Sequence, residues 1–568
     1  MKIKSAFFIP HFVFCVFLLM AGCAHLEPGL KKGIPITAPR GIEIHTQYAF
    51  SSDPKLGYNT FEVYIANHTA DTITFTGAEL NGKPLPKVQS DKISKLFTAT
   101  LGEGDEIPLT EPGFPDDSPV IWWQYYPCNE VRPGETIEFQ VNFKAMPVGR
   151  QELRLLRQNG EGIIITASHF RQPDKRLTAV TYSLYGKRMF VQYASRKVAL
   201  KKLFVNGQNI RKFKILPSVD GSSPDLATFD APFDLKTGDA LHVRSEFQDG
   251  YRSDAIVRVL LGIVLDGGFS GGNNEQSIRK EYLLDEYSVV EMLPFDVACS
   301  DSRANRQGIS APAVTETRKE RYSREPKRLG GINYCAASCQ ATWNIYGQIA
   351  DVVYAKPYQL NWGKQPTRFI EAEERVAQVE AESAQPRPWL WVPDRFNRSR
   401  YMAAGELELL AWLMLERGSK GIRYHYWNKP VAEIMAEHPW LLTGVAKLNK
   451  DIVLQKETLS PLVWVSERTL EKEKVKAYES WSGDKGILIL VRNLDYRTEA
   501  AESKGQEPKF NVVSKQNVNV DVRLPAWFKG KNAVDLLSGK SLPTEKPNDV
   551  IQIKLDRLDA FRLIWLEN

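Results

Sequence analysis

Cysteine is scarce in this chain: six residues in 568. So few exclude a disulfide-stapled scaffold, and the cores must come from apolar packing, for which 43% hydrophobic residues suffice. Histidine numbers only eight, and no H-E-x-x-H pairing occurs, which removes the zinc-peptidase pattern. An excess of one charge is also lacking. The 74 basic and 68 acidic residues leave a net +6, too mild for a dedicated nucleic-acid binder. There is no low-complexity tract. Beyond the first 20 residues no apolar run approaches the roughly 20 that a membrane span needs. The length exceeds one domain and implies about three or four.

What is present begins at the N-terminus. Lys2 and Lys4 precede an apolar run over residues 6–20, and L-M-A-G-C follows at 19–23. This resembles the lipobox of bacterial lipoproteins, with Met20 where leucine is more usual. The resemblance implies cleavage before Cys23, a lipid on its sulfur, and an exported chain tethered to a membrane. Ala24 in place of aspartate implies the outer membrane where there is one. The same residues also read as an ordinary secretory signal or a short anchor. Cys128, Cys299, Cys335 and Cys339 remain in the mature chain. C-A-A-S-C at 335–339 has no histidine nearby and reads as a disulfide or buried thiols before a metal pair.

The organisation changes along the chain. Residues 1–22 are the signal and 23–40 a linker. Residues 41–165 alternate as strands and turns: Phe61, Val63 and Ile65 are apolar at every second position, and N-G-K at 81–83 is a hairpin signal. Residues 166–255 repeat the style, and L-F-V-N-G-Q-N-I at 203–210 echoes A-E-L-N-G-K-P-L at 78–85. Both stretches read as β-sandwiches. W-W-Q-Y-Y-P at 122–127 is a sugar-stacking platform or core packing. Residues 256–450 alternate helix and strand, with strand candidates at 257–265, 289–295, 331–335, 349–353, 389–392 and 421–427. Residues 451–568 return to clean strand alternation, a C-terminal β-sandwich. The expected fold is multidomain α/β plus all-β: a compact or incomplete (β/α)8-type barrel, short for the usual ~250 residues, flanked by β-sandwiches.

Residues 389–427 carry the firmest pattern. W-L-W-V stops at Pro393 and Asp394; Leu407, Leu410, Leu413 and Met414 make one helical face; Gly418 caps it; and G-S-K-G-I-R-Y enters an aromatic strand. Strand, helix and strand make one turn of a parallel barrel. With Glu406 opening the helix, this resembles the last quarter of the barrel of glycoside hydrolases, especially the beta-galactosidase-like and related glycosidase-like bacterial proteins. A-V-D-L-L-S-G-K at 533–540 likewise resembles a hairpin of their C-terminal sandwich.

The resemblance implies two carboxyl groups at strand ends, one protonating the leaving oxygen and one attacking or activating water, with no metal or organic cofactor. Asp296 closes V-V-E-M-L-P-F-D as the fourth-strand equivalent, with Asp301 five residues on, and Asp394 closes the seventh-strand equivalent. The expected pair is Asp296 or Asp301 as acid/base and Asp394 as nucleophile or base, with Glu275 in reserve. Active members usually carry Glu at both places, and a strand-end Asp also serves as an N-cap. Trp343, Tyr358, Arg395, Tyr424, His425 and Trp427 are expected around the rim as glycan contacts. Tyr424 and Tyr426 share one strand face, His425 and Trp427 the other. The partners implied are a glycan and, through the lipid, a membrane. The competing reading is a non-catalytic carbohydrate-binding scaffold with a degenerate barrel.

Overall fold

A computed structural model describes residues 36–50, 59–85, 120–126, 129–143, 151–167, 176–194, 198–219, 224–266, 292–296, 323–324, 326, 329–333, 347, 350–355, 369–393, 401–424, 436–499, 506–546 and 549–568. Four bodies follow one another along it.

The first is a two-sheet sandwich. Its strands are β1 (Ile36–Thr37), β2 (Ile42–Phe50), β3 (Asn59–Asn67), β4 (Ile73–Leu80), β5 (Lys83–Pro84), β6 (Val120–Tyr126), β7 (Glu130–Val131), β8 (Thr136–Phe143), β9 (Gln151–Arg157) and β10 (Ile163–Ala167). One sheet runs β2-β3-β8-β6; the other runs β1-β10-β9-β4-β5, with β7 on β4. Strand β1 lies inside the stretch expected as a linker. Phe61, Val63 and Ile65, beside Phe139 and Val141 of the same sheet, share the core with Phe75 and Leu155 of the other. Of the W-W-Q-Y-Y run, Trp123 and Tyr125 take the core side: Tyr125 stacks on Phe75 at 4.9 Å and donates its hydroxyl to the Gly77 carbonyl.

The second sandwich has β11 (Leu177–Tyr182), β12 (Arg188–Tyr193), β13 (Leu200–Val205), β14 (Gln208–Asn209), β15 (Lys214–Leu216), β16 (Asp225–Asp230), β17 (Ala240–Phe247) and β18 (Arg252–Arg258). Its sheets run β11-β12-β16-β15 and β14-β13-β17-β18. Strand for strand, in chain order, this is the plan of the first sandwich without β1 and β7. The two Asn-Gly turns match in detail. Asn81 and Gly82 sit at φ 54° and 74°, Asn206 and Gly207 at 49° and 78°, the paired left-handed conformations of a type I′ hairpin. Each asparagine exchanges backbone bonds with the neighbouring strand: the Asn81 amide donates to the Glu152 carbonyl and the Asn206 amide to that of His242, both at 2.8 Å. Each side-chain oxygen accepts the amide of that same residue. The echo read in the sequence is therefore a structural repeat.

The apolar run at 257–265 is divided. Its start belongs to β18; a turn at Gly262, φ 82°, then leads into β19 (Val264–Asp266). Strand β19 opens a six-stranded, all-parallel sheet with β20 (Met292–Asp296), β21 (Leu329–Asn333), β22 (Val352–Ala355), β23 (Trp389–Trp391) and β24 (Gly421–Arg423). The order is β19-β24-β23-β22-β21-β20. The first strand pairs with the last, which is the ring order of a barrel. Among the described residues β19 and β20 do not pair, so the sheet is a part-barrel. Helices α1 (Phe369–Ala384), α2 (Ala404–Glu416), α3 (Pro439–Leu454) and α4 (Lys456–Leu459) accompany it. Helix α2 is buried almost all round, because it lies between the sheet, α3 and the last domain.

That last domain holds β25 (Leu462–Leu470), β26 (Val475–Ser482), β27 (Gly486–Asn493), β28 (Tyr496–Glu499), β29 (Lys509–Val512), β30 (Lys515–Arg523), β31 (Ala533–Asp535), β32 (Ser541–Leu542), β33 (Thr544–Glu545), β34 (Val550–Leu558) and β35 (Phe561–Glu567). A six-stranded sheet, β25-β26-β27-β35-β31-β32, packs on β30-β34-β33. In the hairpin at 533–540, Asp535 accepts the Leu537 and Ser538 amides and holds Arg562 at 2.6 Å. Phe190, Leu216 and Leu226 of the second sandwich enter this domain's core.

Candidate functional site

The part-barrel separates its side chains into two layers by strand alternation. Leu260, Val264, Leu329, Val352, Tyr354, Leu390 and Val392 cluster on the concave side. Leu265, Val353, Ala355, Trp389, Trp391, Ile422 and Tyr424 pack outward against α2 and α3. Inside, Tyr354 lies so close over Gly331 that a β-carbon there would stand 2.4 Å from its ring. The Arg423 guanidinium sits 4.4 Å from the centre of the same ring.

G-S-K-G-I-R-Y acquires a residue-by-residue reason. Gly418, φ 90°, ends α2: its amide donates to the Leu415 carbonyl and the Ser419 amide to that of Met414, the Schellman pattern. Ser419 Oγ accepts the Trp391 amide and so stitches β23 to the entry of β24. Lys420 is buried, and its ammonium donates to the carbonyls of Leu459, Ser460 and Leu462 at 3.4, 3.0 and 2.7 Å. Burial pulls it down to about 7. Gly421 is forced: at φ 148° a β-carbon would lie 1.9 Å from the Val264 carbonyl oxygen. Ile422 then faces out and Arg423 in. At the helix start, Glu406 accepts the Ala403 amide at 2.9 Å, as a residue expected to open the helix does.

A second set of charges lies between the helices and the last domain. Glu374 of α1 is buried among Arg417, Lys476 and Arg492, at 2.5, 3.3 and 2.8 Å, and accepts the Tyr478 hydroxyl. Burial alone would raise it; the three cations hold it down at about 2. Glu467 and Glu371 complete the ion pairs with Arg417 and Arg492. Glu416, buried against the Ser480 hydroxyl, is raised well above the usual carboxylate range by burial. A cleft opens near these groups, lined by Thr178, Gln192, Glu382, Trp389, Lys420 and Trp464. It lies at the end where β23 and β24 begin, opposite to the end where barrel strands present chemistry.

At that other end the strands stop on polar residues. Asp266 ends β19 in register with Arg423. Asp296 ends β20 in register with Asn333, and Asn333 with Tyr354. Among the described residues Asp296 ends β20, and Asp394 follows β23 in the sequence. The Asp296 side chain, and Asp301, Asp394, Arg395, Trp343, Tyr358, His425, Trp427, Glu275 and Cys23, lie outside the described residues. So do Cys128, Cys299, Cys335 and Cys339. Tyr424 does not reach the rim. It is fully buried in the outward layer, with its hydroxyl donated to Asn449 Oδ1 of α3 at 2.7 Å. Sequence reasoning passed over Asp266, Asn333 and Arg423. Asp266 carried the same signal as Asp296, an acid closing an apolar run. It also passed over G-F-S-G-G at 268–272, a G-x-S-x-G pattern outside the described residues. Among the described residues no cluster of three or more His, Cys, Asp or Glu is placed to hold a metal, and no helix is long and apolar enough to cross a membrane.

No family model matches the chain, and no curated protein does. Solved structures similar to it are glycoside hydrolases at low identity. An Anoxybacillus alpha-amylase, described as a new glycosyl hydrolase subclass, is 10% identical over 54% of this chain and 70% of its own, with a TM-score of 0.31. The maltogenic alpha-amylase AmyB from Thermotoga neapolitana is 11% identical over 55% and 68%, TM-score 0.31. A putative alpha-galactosidase from Bacteroides fragilis is 8% identical over 69% and 99%, TM-score 0.27. Scores this low add no weight to the ring order read from the strand pairing.

Proposed function

We propose that the chain is an exported, lipid-anchored glycoside hydrolase that cleaves a glycan outside the cytoplasm with two carboxyl groups. Asp296 or Asp301 serves as acid/base and Asp394 as nucleophile or base. The observation that carries this reading is the parallel sheet in ring order, with Asp266 ending β19 and Asp296 ending β20 at its C-terminal end. Carboxyls about 5–5.5 Å apart retain configuration; about 6.5–9.5 Å leaves room for a water and inverts it. The alternation of Ile422, Arg423 and Tyr424 is the reason to keep His425 and Trp427, and not Tyr424, among the glycan contacts. Asp266, in register with Arg423, joins the candidate carboxylates.

The six-strand sheet and the aspartates in place of glutamates favour a second reading, a carbohydrate-binding scaffold without turnover. Glycan release by the protein against polysaccharides and aryl glycosides, beside Asp394→Asn, separates the two. Hydrolysis by the parent and a roughly hundred- to ten-thousand-fold loss in the folded variant is the expected result. Retained activity in the variant removes Asp394 from the mechanism; binding without turnover selects the scaffold. The anchor has its own test: labelled fatty acid enters the parent and not Cys23→Ala.

A further inference from the structure

The cleft beside the buried charges offers little to a ligand, because its polar lining is already engaged: Thr181, Gln192 and Lys420 donate to the carbonyls of Pro461, Trp464 and Leu462. The charges themselves carry more. Arg417 and Lys476 are each shared between Glu374 and Glu467, and Arg492 between Glu374 and Glu371. Three cations thus meet three carboxylates, and the set is neutral and closed. Glu416, the last residue of α2, is fully buried within electrostatic reach of Arg417, Glu467 and Glu374. A fourth carboxylate charge there would have no cation of its own.

Hydrogen bonds give Glu416 a proton by counting. Ser480 Oγ has one hydrogen. It lies 2.5 Å from the Glu416 backbone carbonyl oxygen and 2.9 Å from Glu416 Oε1. The nearer contact takes the hydroxyl proton, since a carbonyl can only accept. The second contact then joins two oxygens, and the hydrogen between them comes from the carboxyl: Oε1–H donates to Ser480 Oγ. Oε2 has no hydrogen-bond partner among the described residues. A neutral acid tolerates that far better than a carboxylate. Burial pushes the group the same way; Arg417 opposes it, and Glu467 and Glu374 reinforce it.

The contact joins two bodies, because α2 belongs to the barrel and Ser480 to β26 of the last domain. We propose that Glu416 is kept as a neutral carboxylic acid and makes this joint a pH-sensitive latch, tight while the proton is held and loosened when it is lost. The other titratable groups at the joint are Tyr478 of β26, Tyr496 of β28 and Lys420 after α2. Lys447 of α3 turns to Glu408, two turns earlier on α2. An acid raised by folding keeps its proton after the unfolded chain has lost it. Its contribution is therefore complete below the ordinary 4.5 and is lost as pH rises toward the folded value, the reverse of Glu374. The latch is independent of the glycan reading.

The experiment compares the full-length parent with Glu416→Gln, whose amide donates to Ser480 as the acid does. Denaturant unfolding is followed at a series of pH values, with hydrogen exchange of the last turn of α2 and of β26. Near pH 4.5 the two proteins should agree. Above it the parent's folding constant should fall relative to the variant's, by up to about tenfold for each pH unit until the folded value is reached. Exchange at the end of α2 and in β26 should rise first. Lys420 acts in both proteins and drops out of the difference. A difference that stays constant with pH, or exchange that rises everywhere except at the joint, would overturn the proposal. A second measurement needs no Glu416 variant. Near neutral pH the infrared spectrum of the parent should hold a protonated carboxyl band that Ser480→Ala shifts by removing its acceptor. No such band, or one that Ser480→Ala leaves in place, would equally overturn it.

Discussion

Where the strands of the part-barrel begin, Lys420 meets three carbonyls, Glu374 meets three cations, and Ser419 ties two strands together. Where they end, Asp266, Asp296, Asn333 and Arg423 occupy strand termini at matching registers. The first group has a structural partner for each charge, so its chemistry is used up in holding the barrel to its neighbours. The second group lies at the end where barrel strands present chemistry. Barrels divide labour this way, with stability at the N-terminal face and chemistry at the C-terminal one. The contrast predicts that substitutions at the beginning cost folding, and that substitutions at the end cost turnover.

The sharpest break is Gly421→Ala. A methyl 1.9 Å from the Val264 carbonyl oxygen must displace backbone, and a loss above about 4 kcal/mol, or no soluble protein, is expected. Denaturant unfolding with a parent-like midpoint would disprove the close approach of β19 and β24. Next is Glu374→Gln, which leaves Arg417, Arg492 and Lys476 without their shared buried anion and should cost about 3–5 kcal/mol. Its pH signature has a definite sign. Glu374 is depressed in the folded chain, so its contribution is complete above its ordinary value of 4.5 and fades as pH falls toward about 2. The parent should therefore lose stability across that window more steeply than the variant, as read by unfolding at a series of pH values.

Lys420→Met is smaller. It leaves three carbonyls without their donor, worth about 1–3 kcal/mol near neutral pH. Burial lowers Lys420 from 10.5 to about 7. As pH falls from 10.5 to 7 the unfolded chain takes up a proton that the folded chain does not, so the parent weakens across that range and levels off below it. A flat parent profile there would mean that the ammonium stays charged on its carbonyls. Tyr424→Phe removes one buried hydrogen bond to Asn449 and should cost about 1 kcal/mol without altering turnover; a fall in turnover would return Tyr424 to the glycan site. At the exit end, Asp296→Asn should move stability by no more than about 0.5 kcal/mol while abolishing most glycan release. A large stability loss there would make Asp296 a cap and collapse the contrast.

Much of the fold was legible because its signals are local. The six barrel strands overlap the six strand candidates, most of them apolar, since a strand buried on both faces needs apolar residues. The Asn-Gly hairpins, the Gly418 cap and the role of Glu406 follow from backbone conformations that few residues adopt and from unpaired amides at a helix start. Of the candidate site, only strand-end acids could be read. Asp266 was overlooked because its run merged with the end of β18, and the break at Gly262 is a matter of one dihedral angle.

Length, composition and period by themselves determined that the chain has several domains, sandwiches at both ends and parallel α/β between them. Each of those properties is set within a few residues, by burial and by φ and ψ. Tertiary structure alone decided that β19 closes on β24, more than 150 residues away, that Tyr424 faces α3, and that Glu374 meets Arg417, Lys476 and Arg492. It also decided that one of two matching sandwiches docks through its sheet face. A hydrophobic position is satisfied by any apolar neighbour. The identity of that neighbour depends on which surfaces meet once the whole chain has closed.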